Sequence, residues 1–442
     1  MPIVHMSRRL AAVTLLMVVA VARSPTTQTV PDILDHAAAQ ALTDFARVCG
    51  PEGQRLWAMS LCGPMAIIDA RTRAAVANHR DPAGTFLPRN GVFEGSFPRR
   101  FEIANTSIDW DGERWATVAG PLPADPFTRL KLVVHESFHR VQAAANLGGS
   151  DRPSDHLETE AGRLWMRLEL RALGRALRAE GPTARRSTRD AVLFRLNRYR
   201  LFPGAEDLEA SMERQEGLAE YTGTVVALRS VGEHIDRVAR EIESFEDSNA
   251  YARSFAYRTG PALGLLLDRY AADWRQRIRT SSMHRQLMAA LAFHAPADVE
   301  GAAKLRASDY GLAAVEASED ERANRQNQFL ANLKRRFVDG QTLRFPQVPN
   351  LARTFNPNAL VPFGEYGTYY PTGTFTATWG RLQVDSGGAV VSRDNMSLRT
   401  TSPSVPDGRP VLGDGWSLEL APGWTIRRAI GADFYEVIQE PK

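Results

Sequence analysis

The sequence predicts an α+β protein in which a mainly helical region follows a short β-hairpin and precedes a C-terminal β-rich module. Apolar residues recur at helical spacing across residues 155–300. Before them, residues 105–119 alternate apolar and polar side chains around Asp111-Gly112, a dipeptide typical of hairpin turns. Beyond residue 360, segments such as "TGTFTATWGRLQV" alternate in the same way. These patterns predict a helical domain between two regions of sheet.

The first 22 residues have the composition of a secretory signal peptide. Arg8 and Arg9 precede an apolar run that ends with the small residues Ala20-Val21-Ala22. That run is shorter than the roughly 18–20 residues of a membrane-spanning helix. We therefore expect an exported protein, periplasmic or secreted, with no stable membrane insertion after cleavage.

The charge balance argues against nucleic acids and membrane surfaces as general partners. The chain has 54 basic and 51 acidic residues. Loss of Arg8 and Arg9 with the signal peptide leaves 52 against 51, which argues against a general nucleic-acid or membrane-surface role.

The expected organisation has five segments. They are the signal peptide (1–22), an N-terminal region (23–104), the helical domain with its hairpin (105–300), a helical extension and linker (301–345) and the β-rich module (346–442). Cys49 and Cys62 are the only cysteines. In an exported chain, such a pair predicts a disulfide.

Helices are predicted at 32–48, 155–180, 184–200, 205–230, 249–274, 283–294 and 308–337. Residues 63–104 have a mixed pattern punctuated by glycine and proline turns. Four arginines recur at every fourth position of the 155–180 helix, which favours a solvated face over a binding patch; they are Arg163, Arg167, Arg171 and Arg175.

The segment "LVVHESFHRVQ", residues 132–142, contains the residues best suited to catalysis. Asp125 and Pro126 predict the start of its helix, and Gly148-Gly149 its end. His135 and His139 are four residues apart and project from one helix face, which suits two imidazole ligands of one zinc ion. Glu136 points aside, where it can take a proton from an activated water.

A chance match is the alternative interpretation of this motif. One histidine would then be a buried core residue, and Glu136 would pair with Arg140 one helical turn later.

A catalytic zinc ion needs a third protein ligand and an open position. Glu216 is preferred because Glu216 and Glu220 share a helix face, so that one can bind metal while the other accepts the outer N–H of a ligand histidine. Gly217 and Gly223 in the same stretch indicate close packing on the helix of His135. Glu158 and Glu160 remain alternative third ligands, and they follow His139 much sooner in the chain.

The segments "VVHESFHRVQ" and "QEGLAEYTG" resemble the gluzincin group of zinc metallopeptidases, of the peptidase MA-like type, across residues 105–275. The resemblance implies a zincin-like domain with one zinc ion per chain. Its ligands would be His135, His139 and Glu216, and Glu136 would be the catalytic base.

The resemblance extends to further features of the site. Glu220 matches the acidic residue that follows the ligand glutamate by four positions. The hairpin at 105–119 stands where such enzymes have an edge strand that pairs with the substrate backbone. The 76 residues between His139 and Glu216 exceed the spacing in the best-known members, and we interpret the excess as an inserted helical hairpin at 155–203.

A peptidase also needs a hydrogen-bond donor for the developing oxyanion. The segment "YARSFAYRTGPALGLLLDRY" resembles the helix that supplies a tyrosine in related enzymes. Tyr257 is the first choice, with Tyr251 and Arg258 as alternatives.

Two functions follow as hypotheses. The first is an exported zinc-dependent peptidase that hydrolyses peptides or proteins by a metal-activated water, with Glu136 as general base. The second is a non-catalytic envelope protein whose metal site is structural and whose C-terminal module binds a partner. His156 as a fourth ligand would favour the second function, because structural zinc sites have four protein ligands.

Overall fold

The computed structural model describes residues 30–228, 230–248, 250–348, 351–356 and 359–440. The predicted signal peptide, residues 1–22, lies outside the described residues. Helices account for 49% of the described residues and strands for 20%, which confirms a mixed α and β fold with a β-rich C-terminal region. Among the described residues, no helix combines the length and apolarity that crossing a membrane requires. The chain divides into two compact units between Tyr310 and Gly311.

The N-terminal unit begins with a long helix and six strands. Helix α1 spans Val30–Trp57, so the helix predicted at 32–48 is confirmed and continues further. The strands are β1 (Met65–Asp69), β2 (Ala74–Ala77), β3 (Leu87–Arg89), β4 (Val92–Ser96), β5 (Thr106–Trp110) and β6 (Glu113–Gly120). Cys49 and Cys62 form the predicted disulfide, which joins the end region of α1 to the segment before β1.

The six strands form one sheet in the order β3-β4-β2-β1-β6-β5. Strands β1 and β6 run parallel, and the other neighbours are antiparallel. The predicted hairpin is confirmed as β5 and β6, and Asp111 and Gly112 make its turn with φ of 49° and 90°. Strand β5 lies at the edge of the sheet, and in the described part of the chain no strand pairs with its outer side.

Eleven further helices in the described residues complete this unit. They are α2 (Pro126–Gln142), α3 (Glu160–Arg178), α4 (Gly181–Leu201), α5 (Ala205–Met212), α6 (Leu218–Ala227), α7 (Val231–Phe245), α8 (Tyr251–Ser254), α9 (Ala256–Tyr270), α10 (Trp274–Arg277), α11 (Met283–Ala290) and α12 (Val299–Ala307). A π-helical turn, Glu213–Gly217, joins α5 to α6. Helices α7 and α12 were not predicted from the sequence.

Helix α2 carries the two histidines and begins as predicted. Asp125 is its N-cap and accepts a hydrogen bond from the backbone N–H of Thr128 at 2.9 Å. The helix ends at Gln142 rather than at Gly148-Gly149, because the chain turns earlier at Asn146, which has a φ of 56°. Helix α2 packs against α1, α6 and β6, so most of its circumference is buried.

The arginine stripe of α3 is not solvated along its whole length, since Arg175 is exposed but Arg163 and Arg167 are buried. Arg163 and Arg167 are only 2% and 4% exposed. The guanidinium of Arg163 lies 4.2 Å above the ring of Tyr251, and Arg167 forms an ion pair with Glu246 at 3.0 Å. The prediction was wrong because α7 and the segment after it cover this side of α3.

The C-terminal unit joins one long helix to two antiparallel-rich sheets. Helix α13 spans Leu312–Lys334. The strands are β7 (Thr342–Arg344), β8 (Ala352–Thr354), β9 (Val361–Pro362), β10 (Thr368–Tyr370), β11 (Gly373–Ala377), β12 (Gly380–Val384), β13 (Ala389–Val391), β14 (Leu398–Thr401), β15 (Pro403–Val405), β16 (Val411–Gly413), β17 (Trp416–Leu420), β18 (Trp424–Arg428) and β19 (Tyr435–Gln439). One sheet has the order β18-β19-β7-β14-β13-β10-β9 and the other β15-β16-β17-β12-β11-β8. Side chains from both sheets, such as Leu343 and Leu382, share one buried core, as in a β-sandwich.

Candidate metal centre

The residues singled out in "LVVHESFHRVQ" and "EGLAEY" meet in one cleft of the N-terminal unit. The cleft has a volume of about 760 Å³. Helix α2 contributes His135, Glu136 and His139, the π turn before α6 contributes Glu216, and α9 contributes Tyr257. The structure therefore brings together side chains that are more than 120 positions apart in the sequence.

Three potential ligand atoms converge at the floor of the cleft. The Nε2 atoms of His135 and His139 are 3.0 Å apart, and Glu216 Oε2 lies 3.3 and 3.4 Å from them. Tetrahedral zinc with bonds of about 2.0–2.1 Å separates its ligand atoms by about 3.3 Å. The triangle thus has the dimensions of three zinc ligands. In the described part of the chain, no other group of three or more His, Cys, Asp or Glu side chains is close enough together to hold a metal ion.

Glu220 fixes the orientation of His135. His135 Nδ1 is 2.9 Å from Glu220 Oε2, so the Nδ1–H donates to the carboxylate and Nε2 faces the cleft. The other Glu220 oxygen lies 2.5 Å from Lys131 Nζ, which also contacts Glu241 at 3.2 Å. Burial raises the pKa of Glu220, but His135 and Lys131 outweigh it and lower that pKa to about 2. Glu220 is therefore a charged acceptor.

Gln142 fixes the orientation of the His139 imidazole, as Glu220 does for His135. This role of Gln142 was not predicted from the sequence. Its Oε1 accepts from His139 Nδ1 at 2.8 Å. Its Nε2 donates to the carbonyls of Arg214 and Gln215 at 2.7 and 2.9 Å, so the amide can face His139 only with its oxygen. The one available signal was its position three residues after His139, on the same helix face.

The charged side chains of the site pair with one another. Burial opposes protonation of His135, but hydrogen bonds to Glu216 and Glu220 overcome it and raise its pKa to about 10. Burial likewise raises the pKa of Glu216, yet the two histidines outweigh it and hold that pKa well below the ordinary range. A cation at the centre of the triangle would replace the proton shared by these groups.

Glu136 has a free, buried carboxylate oxygen. The residue is 4% exposed, and its Oε2 has no hydrogen-bond partner in the described part of the chain. Burial raises the pKa of the Glu136 carboxyl. The pairing of Glu136 with Arg140 does not occur, because Arg140 donates instead to the carbonyls of Leu61 and Cys62.

Tyr257 covers His135 from the side of α9. Its ring is parallel to the His135 imidazole, with centroids 5.5 Å apart, and its hydroxyl donates to Glu216 Oε2 at 2.6 Å. Burial and the adjacent Glu216 raise the pKa of the phenol well above its ordinary value. Tyr257 is therefore a neutral donor at the mouth of the triangle.

The edge strand borders the same cleft. Asn105, Thr106 and Ser107, at the start of β5, line it together with the site residues of α2. Because the outer side of β5 is unpaired in the described structure, its backbone N–H and C=O groups can receive an extended peptide.

Two glycine contacts explain how Glu216 reaches the triangle. A Cβ on Gly223 would lie 2.6 Å from the carbonyl oxygen of Lys131, so α6 packs directly on the backbone of α2. A Cβ on Gly260 would lie 2.2 Å from Gly217 Cα, so the π turn packs on α9. The expected close packing on the His135 helix is therefore right for Gly223, whereas Gly217 contacts α9 instead.

The alternative residues lie elsewhere. Glu158 accepts a hydrogen bond from the backbone of Ala252 at 3.1 Å, Glu160 is exposed at the start of α3, and His156 Nε2 lies 2.7 Å from Glu209. None of these three lines the cleft.

The two alternative oxyanion donors also have other contacts. Tyr251 donates to the carbonyl of Glu246 at 2.8 Å, and Arg258 donates to the carbonyl of Tyr257 at 3.1 Å.

Comparisons of the chain with protein-family models, with curated proteins and with solved structures return no significant match.

Proposed function

We propose that the protein is an exported zinc-dependent peptidase with a zincin-like catalytic domain. The observation that carries the proposal is the triangle of His135 Nε2, His139 Nε2 and Glu216 Oε2, whose edges of 3.0–3.4 Å match the ligand spacing of zinc. Beside it stands Glu136, a buried carboxylate with an unpaired oxygen. Three ligands and an adjacent base are the composition of a hydrolytic zinc site.

The side chains of the cleft divide the chemistry among them. A bound zinc ion supplies Lewis acidity, which polarises a carbonyl and lowers the pKa of a water molecule to about 7. Glu136 accepts the proton of the attacking water and then returns it to the leaving amine. Tyr257 donates its hydroxyl hydrogen to the oxyanion that develops on the substrate carbonyl. Glu220 and Gln142 hold the two imidazoles in the required tautomer.

Strand β5 gives the proposed enzyme its means of holding a peptide. An extended substrate would add to the edge of the sheet through backbone hydrogen bonds, which are independent of side-chain identity. The arrangement therefore favours peptide and protein substrates over small amides. The disulfide supports export, because such bonds persist in oxidising compartments.

The competing proposal is a non-catalytic protein with a structural metal site. The position of His156 argues against it. A structural zinc site has four protein ligands. His156 contacts Glu209, and in the described residues only three candidate side chains surround the triangle.

The Glu136→Gln variant tests the proposal directly. It keeps the three ligands and removes the base, so the variant should bind about one zinc ion per chain and lose peptide hydrolysis by roughly 100-fold or more. Zinc content by elemental analysis and hydrolysis of a fluorescent casein-type substrate measure the two effects.

The matched control is Glu160→Gln, which changes an exposed glutamate on α3 and should retain both zinc and activity. Wild-type activity in Glu136→Gln would refute the role of Glu136. A loss of zinc in Glu160→Gln would refute the assignment of Glu216.

A further inference from the structure

A second concave surface lies beside the metal cleft, and five arginines contribute to its lining. This basic pocket has a volume of about 830 Å³, and its charged lining residues are Arg55, Arg114, Arg140, Arg275, Arg279 and Asp273. The rest of its lining comes from the end of α1 and the residues up to Ser60, from Val141, Ala144 and Ala145, and from Ala272 and Gln276.

Two of these arginines form no ion pair with a described residue, although the Glu113 carboxylate acts electrostatically on Arg140. Arg140 donates to the carbonyls of Leu61 and Cys62, and Arg279 donates to the carbonyl of Ala145 at 3.0 Å. The other charged lining residues are paired, in the pairs Arg55–Glu52, Arg114–Asp109, Arg275–Asp268 and Asp273–Arg277. The pocket therefore contains excess positive charge that carbonyl oxygens hold in position.

The local backbone is adapted to the guanidinium of Arg140. A Cβ on Gly63 would lie 2.2 Å from Arg140 Cζ, so a larger residue there would displace the guanidinium from its present position. The neighbouring Cys62, whose carbonyl accepts from Arg140, is tied to α1 by the disulfide. Ala58, in the same wall, has a left-handed φ of 54°, a strained conformation that is often found at ligand sites.

The pocket adjoins the proposed catalytic centre. Arg140 directly follows His139 in α2, and Arg114 of β6 lines both the basic pocket and the metal cleft. Arg114 also donates to Ser107 of the edge strand at 2.7 Å. A peptide that leaves the metal cleft past Arg114 would therefore enter the basic pocket.

We propose that the basic pocket binds an acidic segment, rich in aspartate or glutamate, of the peptide whose backbone occupies the metal cleft. The proposal rests on the proposed function, since it assigns the substrate class of the same site. Carboxylates match the paired N–H donors of arginine, and arginines that donate only to carbonyls can still bind an anionic partner.

The test measures binding rather than cleavage. The full-length Glu136→Gln protein is used because this substitution prevents turnover. It is titrated into two fluorescent peptides that share a central segment. One peptide has a flanking run of glutamates, and the other has glutamines at the same positions. The glutamate peptide should bind about tenfold more tightly at low salt, and this preference should decline as salt is raised.

The double variant Arg140→Gln/Arg279→Gln should remove the preference, with zinc content reporting that the neighbouring metal site is intact. If the double variant does not fold, Arg279→Gln alone serves as the test. Position 279 is further from the metal ligands in sequence, and this variant should reduce the preference for the glutamate peptide. The matched control is Arg186→Gln, since Arg186 is an exposed arginine of α4 without an ion-pair partner among the described residues.

Equal affinity for the two peptides, or an equal loss in the Arg186→Gln control, would overturn the proposal. Full displacement of the peptide by inorganic phosphate at millimolar concentration would also overturn it, by assigning the pocket to small anions. A wild-type protein that binds the acidic peptide without hydrolysing any peptide would contradict the proposed function and leave the acidic-segment assignment standing.

Discussion

At the residue scale, both imidazoles of the candidate centre are held by their outer nitrogens. Glu220, a charged acceptor, holds His135, and Gln142, a neutral one, holds His139. Gln142 also binds two carbonyls of the π turn that carries Glu216. One buried amide therefore sets the position of two of the three candidate ligands.

Replacement of Gln142 by leucine should weaken zinc binding. The change removes the acceptor of His139 Nδ1–H and the amide donor to the carbonyls of Arg214 and Gln215, and losses of such supporting contacts typically lower metal affinity about 10–100-fold. Competition with a chromogenic chelator measures the affinity. Gln286→Leu, at another buried glutamine that donates to the carbonyl of Ser281, should leave zinc affinity unchanged. Equal affinities in wild type and Gln142→Leu would show that Gln142 has no positioning role.

The sequence could predict the two histidines because a spacing of four residues fixes their geometry within one helix. The choice of Glu216 over Glu158 and Glu160 depended on the support that Glu220 could give, and the structure places Glu216 with the histidines. Gln142 could not be recognised, because its function depends on carbonyls more than 70 positions away.

At the element scale, the π turn and the glycines around it determine how closely the site-bearing helices approach. π turns widen the helix by one residue and are frequent at functional sites. Here the turn ends at Gly217, where it meets Gly260 of α9 with no side chain between the two backbones. The same helix α9 presents Tyr257, so this contact joins the elements that carry Glu216 and Tyr257.

Gly260→Ala should therefore destabilise the protein and its metal site. The new Cβ would lie 2.2 Å from Gly217 Cα, and the backbones can separate only at a cost of about 1–3 kcal/mol in the free energy of unfolding. Gly174→Ala is the control, since its Cβ would meet the nearest atom, of Ile242, at an ordinary 3.8 Å. That variant should gain about 0.5–1 kcal/mol from its better helix propensity. Urea unfolding measures both changes, and equal effects would contradict the close-packing explanation.

Some elements could not be predicted, for physical reasons. Strands β1 and β2, "MAIID" and "AAVA", are short and almost wholly buried, so they lack the alternation that distinguishes a strand from a helix. The arginine stripe of α3 has the spacing of a solvated face, but its partner Glu246 lies 79 positions after Arg167. Local periodicity contains no information about such tertiary partners.

At the scale of the whole molecule, the candidate metal centre belongs to one of two compact units. The side chains proposed as ligands, base and oxyanion donor all precede the division at Tyr310 and Gly311. Each unit has a buried core of its own, with Trp110 and Trp115 in the first and Phe375 and Leu418 in the second. We therefore expect metal to stabilise the first unit selectively.

Chelation of zinc should lower the unfolding temperature of the N-terminal unit and leave that of the C-terminal unit unchanged. A ligand at a free concentration 1,000-fold above its Kd stabilises the native state by about 4 kcal/mol, and each kcal/mol shifts Tm by roughly 1.5–2 °C in a unit of this length. Calorimetry with and without EDTA should therefore show one transition moving by about 7 °C and the other unmoved, and added zinc should restore the first. In His135→Ala/His139→Ala, which lacks two ligands, EDTA should have no effect. A shift of both transitions, or of neither, would contradict a tight metal centre confined to the N-terminal unit.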